Sequence, residues 1–189
     1  MTQVQPSTAA RDRLLASAVS YAEANGIGEL SLRELAEAIG TSHRMLIYHF
    51  GSKEGLLVEV VKAVEAEQRA FLVSLAAEPT RSPADTIRMM WQRLSDPALA
   101  DKERLFYDVY VNALLGRLGD SDFLDGIVDN WVEVAVENAP PDQTRAQAAA
   151  DARLGVAVMR GLLLDLLATG DRKAVDAAAD RFAALYERR

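Results

Sequence analysis

Apolar residues recur with helical spacing along almost the whole chain, and this pattern restricts the fold more than any other feature. Leu14, Ala18 and Ala22, for example, stand one turn apart in succession. No segment alternates apolar and polar residues with the β-branched enrichment of half-buried strands. The sequence therefore predicts an all-α protein, and its 189 residues are enough for a sizeable core.

Composition excludes several classes of site. The chain has no cysteine, which rules out disulfides, thiolate metal sites and a cysteine nucleophile. Only two histidines are present, and the net charge of -7 argues against a basic surface covering the whole protein. We therefore expect no metal and no cofactor, and any basic patch has to be local.

The sequence has no membrane signal. It contains no run of about 18 apolar residues, and its first ten residues lack the basic and apolar regions of a signal peptide. We therefore expect a cytoplasmic protein without a membrane partner.

A helix-turn-helix pattern lies in the first third of the chain. Ser31 and Glu34 have the spacing of a capping box, which predicts the start of a helix that ends at Gly40. Either Thr41 or Ser42 then caps a short third helix, because both offer a hydroxyl to unpaired N–H groups. Helix, glycine-containing turn and helix is the order that places a helix in the DNA major groove.

The third helix has one outward face. Stepping about 100° per residue from a buried Leu46 places Arg44 and Tyr48 on the opposite side, with Ile47 and Met45 beside them. A short face of this kind fits a major groove about 12 Å wide.

The residues of this face have alternative roles. The forked guanidinium of Arg44 matches guanine O6 and N7, although a solvated surface arginine is the other interpretation. Tyr48 either contacts DNA or packs on the adjoining helix. Ile47 and Met45 either touch thymine methyl groups or belong to a hydrophobic seam.

Flanking residues offer contacts to the DNA backbone. No acidic residue occurs between Ser42 and Lys53, and Lys53 begins a long helix whose N–H groups favour a phosphate. Ser31 and Arg33 can hold the opposing strand, although capping alone explains Ser31.

The two histidines, His43 and His49, are six residues apart and so about 120° apart around a helix. Shared metal ligation does not suit that angle. We interpret both as neutral donors, with His43 near bases and His49 near a phosphate or an intramolecular partner.

The motif as a whole reads Gly40-Thr-Ser-His-Arg-Met-Leu-Ile-Tyr-His-Phe-Gly-Ser-Lys-Glu-Gly-Leu56, preceded by Leu-Ser-Leu-Arg-Glu-Leu-Ala. Over residues 10–60 the chain resembles the DNA-binding domain of the TetR family of transcriptional regulators. One position differs, because Ile47 stands where the family commonly has an aromatic residue, and Tyr48 follows it.

The resemblance implies a homodimer that binds a palindromic double-stranded operator, usually represses, and responds to a small-molecule effector. Residues 8–55 would form the three-helix DNA-binding domain, and residues 56–189 a helical domain for ligand binding and dimerisation. By residue match, the contact roles fall on Ser31, Arg33, Ser42, His43, Arg44, Met45, Tyr48, His49 and Lys53.

A set of methionine and aromatic residues follows on three predicted helices, and it either lines an apolar effector pocket or forms ordinary core. The resemblance implies that some pocket exists. Four arginines lie among these residues and make an acidic ligand conceivable: Arg88, Arg93, Arg104 and Arg117. The candidate pocket residues are Met89, Met90, Trp91, Phe106, Tyr107, Tyr110, Phe123 and Trp131.

Five helical segments are predicted in this half, at about 83–95, 98–116, 121–138, 142–169 and 172–187. In the resembling family the last two helices form the dimer interface. Gly155, Val158 and Leu162 share a face of the first of these, which we expect at the interface. Packing within the chain is the alternative.

Two other functions compete with a DNA-binding regulator. One is a helical enzyme or small-molecule carrier, and the other is a helical module that binds proteins through its acidic surface. The sequence has no Ser/His/Asp array, phosphate-binding glycine loop or HExxH motif. It therefore favours the regulator and predicts no enzymatic activity.

Overall fold

A computed structural model of the chain describes residues 8–25, 30–78, 81–119, 121–139 and 143–187, with the side chain of Glu23 excepted. These residues form nine α-helices and no strand, so the predicted all-α fold is confirmed. None of the described helices has both the length and the hydropathy that crossing a membrane requires.

The first four helices begin and end close to the predicted positions. The Ser31 capping box starts the second helix, and Ser42 rather than Thr41 caps the third. Their bounds are α1 Thr8–Asn25, α2 Leu32–Ala38, α3 His43–Phe50 and α4 Lys53–Ala76.

The described residues from 81 onwards form five α-helices and two short 3-10 helices, Pro97–Leu99 and Ala184–Tyr186. Residue 142, the predicted start of the eighth helix, lies outside the described residues. The bounds are α5 Pro83–Leu94, α6 Ala100–Leu114, α7 Asp129–Glu137, α8 Arg145–Thr169 and α9 Arg172–Ala183.

The predicted helix over 121–138 is wrong in its first half. Residues 123–128 form turns, and α7 begins only at Asp129. Gly126 has a φ of 73°, in the left-handed region, and a right-handed helix cannot continue through it.

The chain divides into two compact units. The first contains residues 1–65 and 101–124, and the second contains residues 66–100 and 125–189. This division by packing differs from the predicted boundary between residues 55 and 56. The predicted boundary separates a DNA-binding domain from a ligand-binding domain, and that functional division stays a prediction. The largest fully buried side chains are Leu35, Leu46, Leu56, Val60, Val61 and Phe123, all in the first unit.

In the second unit α8 packs against α7 and α9, and α9 packs against α5. Its core includes a cluster of Leu75, Met90 and Trp131, which joins α4, α5 and α7. Val156 of α8 packs against this cluster, so one side of α8 is turned towards its own unit.

Candidate nucleic-acid interface

Helix α3 buries one residue and exposes a continuous face. Leu46 is 0% exposed, whereas Met45 and Ile47 are each 39% exposed and Tyr48 is 47% exposed. Arg44 is also exposed. The structure therefore shows the outward face that the helical stepping predicts, and it leaves Ile47 and Met45 accessible rather than sealed in a hydrophobic seam.

The start of α3 is held by its own cap. The Ser42 hydroxyl accepts a hydrogen bond from the backbone N–H of Met45 at 3.2 Å. His43 follows directly and is exposed. This cap fixes the first turn of the helix, from which recognition helices contact base edges.

Helix α2 begins at a complete capping box. The Ser31 backbone N–H donates to the Glu34 carboxylate at 2.8 Å, and the Glu34 N–H donates to the Ser31 hydroxyl at 3.3 Å. Ser31 therefore has a structural role whether or not it contacts DNA. Arg33 lies between them in sequence and is exposed.

The capping box also lowers the pKa of Glu34, and Lys53 contributes to this shift. Hydrogen bonds from Ser31, first from its hydroxyl and then from its backbone, hold the pKa of Glu34 below its usual value, and the positive charge of Lys53 adds to this. Lys53, predicted to bind phosphate, therefore lies within electrostatic range of a carboxylate. Sequence spacing gave no sign of this electrostatic interaction.

Two glycines fix how α3 meets α4. Gly51 ends α3 with a φ of 78°, which favours glycine. A Cβ added at Gly55 would lie only 2.2 Å from the backbone oxygen of Phe50. The first turn of α4 therefore comes so close to the end of α3 that no side chain fits at position 55.

Arg11 is a positioning residue that the sequence analysis missed. Its guanidinium forms an ion pair with Glu59 of α4 and lies over the Phe50 ring, 5.3 Å from the centroid. It thereby links α1 to the end of α3 and to α4. No local signal reveals it, since 48 residues separate Arg11 from Glu59.

His49 is placed differently from the other predicted contacts. Both of its ring nitrogens are shielded from solvent and have no hydrogen-bond partner among the described residues. The ring instead makes an edge contact with Tyr48, at 5.0 Å between centroids. A phosphate contact by His49 therefore requires its side chain to turn outwards.

Four of the predicted pocket residues lie together in the first unit. Phe106 contacts Tyr107 and Tyr110, with centroids 5.2 and 5.6 Å apart, and Tyr110 contacts Phe123 at 6.4 Å. Phe106 and Phe123 are buried. These four residues form a continuous aromatic cluster.

The other four lie in the second unit. Met90 and Trp131 belong to its core cluster, and Met89 packs against that cluster. Trp91 instead donates from its indole nitrogen to Asp176 at 2.8 Å. It lines a surface recess of about 350 Å³ between α5 and α9 together with Arg172. The effector pocket itself stays a prediction.

The four arginines considered for an acidic ligand all bond to side chains of their own chain. Arg93 donates to Gln68 at 2.7 Å and Arg88 pairs with Glu187. Arg104 pairs with Asp101 at 2.9 Å, and Arg117 donates to Asn112 at 3.5 Å. Arg88, Arg93 and Arg104 thus face carboxylates of their own chain, at 3.6 Å for Arg93 and Glu67, whereas Arg117 donates to an uncharged amide.

The exposed side of α8 differs from the face expected at an interface. Gly155, Val158 and Leu162 are only partly exposed. A neighbouring arc is exposed instead, and its middle is apolar, with the exposed Arg153 and Asp165 at its two edges. That stripe consists of Leu154, Ala157, Gly161, Leu164 and Ala168.

Among the described residues, no three histidine or carboxylate side chains are grouped in a way that could hold a metal ion. The ionisable residues near α3 are suited instead to binding a polyanion, because the segment from Ser42 to Lys53 lacks any acid.

Comparisons with known proteins agree with this geometry. Residues 14–60 match the sequence model of the tetR family of bacterial regulatory proteins. The chain is 28% identical over 114 residues to the HTH-type transcriptional regulatory protein RaaS of Mycobacterium tuberculosis. That match covers 47% of this chain and 53% of RaaS, so it spans about half the length of the relative.

Solved structures share the fold along most of the chain. A transcriptional regulator from Rhodococcus sp. RHA1 has a TM-score of 0.71 and 20% identity, covering 93% of this chain and 95% of that one. The TetR-family repressor FadR of Thermus thermophilus, solved with lauroyl-CoA, has a TM-score of 0.63 and 16% identity, covering 93% and 92%. Residues 14–60 therefore match the DNA-binding segment typical of the tetR family of bacterial regulatory proteins, and the chain shares its fold with solved transcriptional regulators.

Proposed function

We propose that the protein is a transcriptional repressor that binds a palindromic double-stranded operator as a homodimer and releases it in response to a small molecule. A role at bacterial DNA also suits the expected cytoplasmic location. The observation that carries the proposal is α3 itself, which buries Leu46 and exposes Arg44 on a face without acidic residues.

Dimerisation is supported by the exposed stripe of α8. All of its members are apolar or glycine, and a row of exposed apolar residues on a helix is typical of a surface that another helix covers. A Cβ at Gly161 would meet nothing within 4 Å, so a partner helix could approach closely there. We propose an interface formed by the last two long helices, α8 and α9, with this stripe at its centre.

In such a dimer the two α3 helices present themselves to successive major grooves. Half-sites then recur about 34–36 Å apart, or at a multiple of that spacing, because this is the helical repeat of DNA. The same symmetry requires the operator to be a palindrome.

The effector is proposed to be small and apolar or amphipathic. Support comes from the core cluster of the second unit, where Arg69 lies 6.0 Å from the Trp131 ring centroid and Arg93 lies 4.8 Å from that of Phe71. This cluster is packed core, so a ligand has to displace side chains there; its apolar residues and the cations over its rings would then suit a ligand with an apolar body and a polar end. FadR, which shares the fold, was solved with lauroyl-CoA, so this acyl thioester is a reasonable first probe.

The DNA-binding proposal predicts different losses for two cations. Arg44→Ala should weaken binding to the selected operator by about 1–3 kcal/mol and relax the preference at one base position. Lys53→Ala should weaken binding to all sequences and reduce the salt slope by about one unit, because it removes a phosphate contact. Fluorescence anisotropy against operator and scrambled duplexes at several salt concentrations measures both effects.

Arg104→Ala is the matched control, since it removes an exposed arginine from α6 and should leave affinity unchanged. An equal loss for Arg44→Ala on operator and scrambled DNA would show that Arg44 does not read a base. Absence of binding to any duplex would contradict the proposed function itself.

The effector proposal predicts a reciprocal coupling. If lauroyl-CoA weakens operator binding, operator DNA must weaken lauroyl-CoA binding by the same factor, with typical couplings of about 1–3 kcal/mol. Calorimetry with and without operator measures the factor, and the fluorescence of Trp131 in a Trp91→Phe variant reports on the cluster. Binding with equal affinity in both titrations would show that the site occupied does not regulate the protein.

A further inference from the structure

Apolar side chains make up much of the exposed face of α3. Arg44 is its one cation, and the large side chains beside it are Met45, Ile47 and Tyr48, each more than a third exposed. Met45 and Ile47 thus leave apolar surface accessible to solvent. An apolar group on a binding partner would bury this surface favourably.

The major groove offers one apolar group to such residues, the C5-methyl of thymine. The acid-free segment from Ser42 to Lys53 brings no charge that would repel the phosphates on either side. The surroundings of the two side chains thus favour DNA over an apolar protein surface, whose occupant would have no use for Arg44 and Lys53.

Helical geometry places the two side chains on opposite sides of Arg44. Positions 45 and 47 are about 160° apart around the helix, and Arg44 lies between them. If Arg44 bonds a guanine, Met45 and Ile47 therefore flank that contact on its two sides.

We propose that Ile47 and Met45 are specificity-determining residues that read thymine methyl groups flanking the base pair contacted by Arg44. The inference rests on the proposed function, since it requires α3 to enter the major groove. It adds that the protein reads part of its operator by apolar contact with thymine methyl groups. Ile47 is the more important of the two residues for this proposal. Its side chain has no polar atom, so it can contact a base only by apolar packing.

Uracil substitution tests the proposal, because uracil pairs as thymine does and lacks only the methyl group. An operator is first selected from a random duplex library, and each thymine of one half-site and its symmetry mate are then replaced by uracil. Losing one buried methyl contact weakens binding about fourfold, so a symmetric pair of substitutions should weaken it about 16-fold. We expect this at one or two thymine positions beside the guanine read by Arg44.

Variants assign the effect to the side chains. Ile47→Ala should bind the thymine operator more weakly and should no longer discriminate between thymine and uracil at the base that Ile47 contacts. Met45→Ala should have the same two effects at the base that Met45 contacts. Arg44→Ala is the matched control from the same face, since it should weaken binding while keeping the uracil penalty. Circular dichroism verifies that each variant is folded.

The outcomes separate this inference from the proposed function. Operator binding that is unaffected by uracil at every position overturns the methyl contact and leaves DNA binding intact. A uracil penalty that persists in both Ile47→Ala and Met45→Ala also overturns it, since other residues would then read the methyl groups. Failure to select any sequence contradicts the proposed function.

Discussion

Replacing Leu46 by alanine is expected to lower the free energy of unfolding by about 2–5 kcal/mol. Leu46 is 0% exposed in α3, and the truncation leaves a cavity that a close-packed core closes only in part. Because α3 is short and packs on α2, loss of this anchor should also weaken DNA binding strongly. Urea denaturation followed by circular dichroism measures the first effect, and anisotropy with operator DNA measures the second.

The neighbouring residue provides the control. Ile47→Ala removes a side chain of similar size from the same helix, but its side chain is 39% exposed. Its unfolding free energy should change by only about 0.5 kcal/mol, while its operator affinity falls. If the two variants lost equal stability, the rotational setting of α3 described here would be wrong.

The second large effect is expected at the exposed stripe of α8. Leu164→Glu should convert the proposed dimer to a monomer at micromolar concentration, because the interface would bury a carboxylate without a partner. Leu164 is 51% exposed within the chain, so the substitution should leave each protomer folded. Light scattering gives the mass, and a palindromic operator should be bound far more weakly than by the wild type.

Position 164 is a cleaner choice than position 158, although the sequence points to Val158. Val158 is only partly exposed, and a charge there would disturb packing within the chain as well. Val73→Glu is the matched control, since Val73 is 44% exposed on α4 and lies outside the stripe. A wild type that is monomeric, or a Leu164→Glu variant that remains dimeric, would refute the interface.

Gly161 adds a physical argument for this interface. Glycine within a helix costs about 1 kcal/mol relative to alanine, and its own chain gives no reason for the cost, because a Cβ at position 161 would meet nothing within 4 Å. The close approach of a second helix at Gly161 would offset this cost, and Gly161 lies within the exposed stripe where we propose such a helix.

The sequence alone determined the features that depend on residues a few positions apart. The Ser31 and Glu34 capping box, a hydroxyl cap at Thr41 or Ser42 and the outward face around Arg44 all follow from side chains reaching the next turn, or from the 100° step of a helix. Such interactions are the same in any fold. The all-α class and the exposed face of α3 could therefore be predicted without coordinates.

Tertiary structure decided the features that join distant parts of the chain. Helical spacing shows that α8 has an apolar side, but α8 is apolar on several sides, and only its packing on α7 and α9 leaves Leu164 exposed and Val158 partly covered. The pairing of Arg11 with Glu59, the charge of Lys53 beside Glu34 and the approach of Gly55 to Phe50 likewise depend on how helices meet. Periodicity measures how residues are arranged around one helix axis, whereas burial also depends on which neighbours cover each side, and that is set by the whole chain.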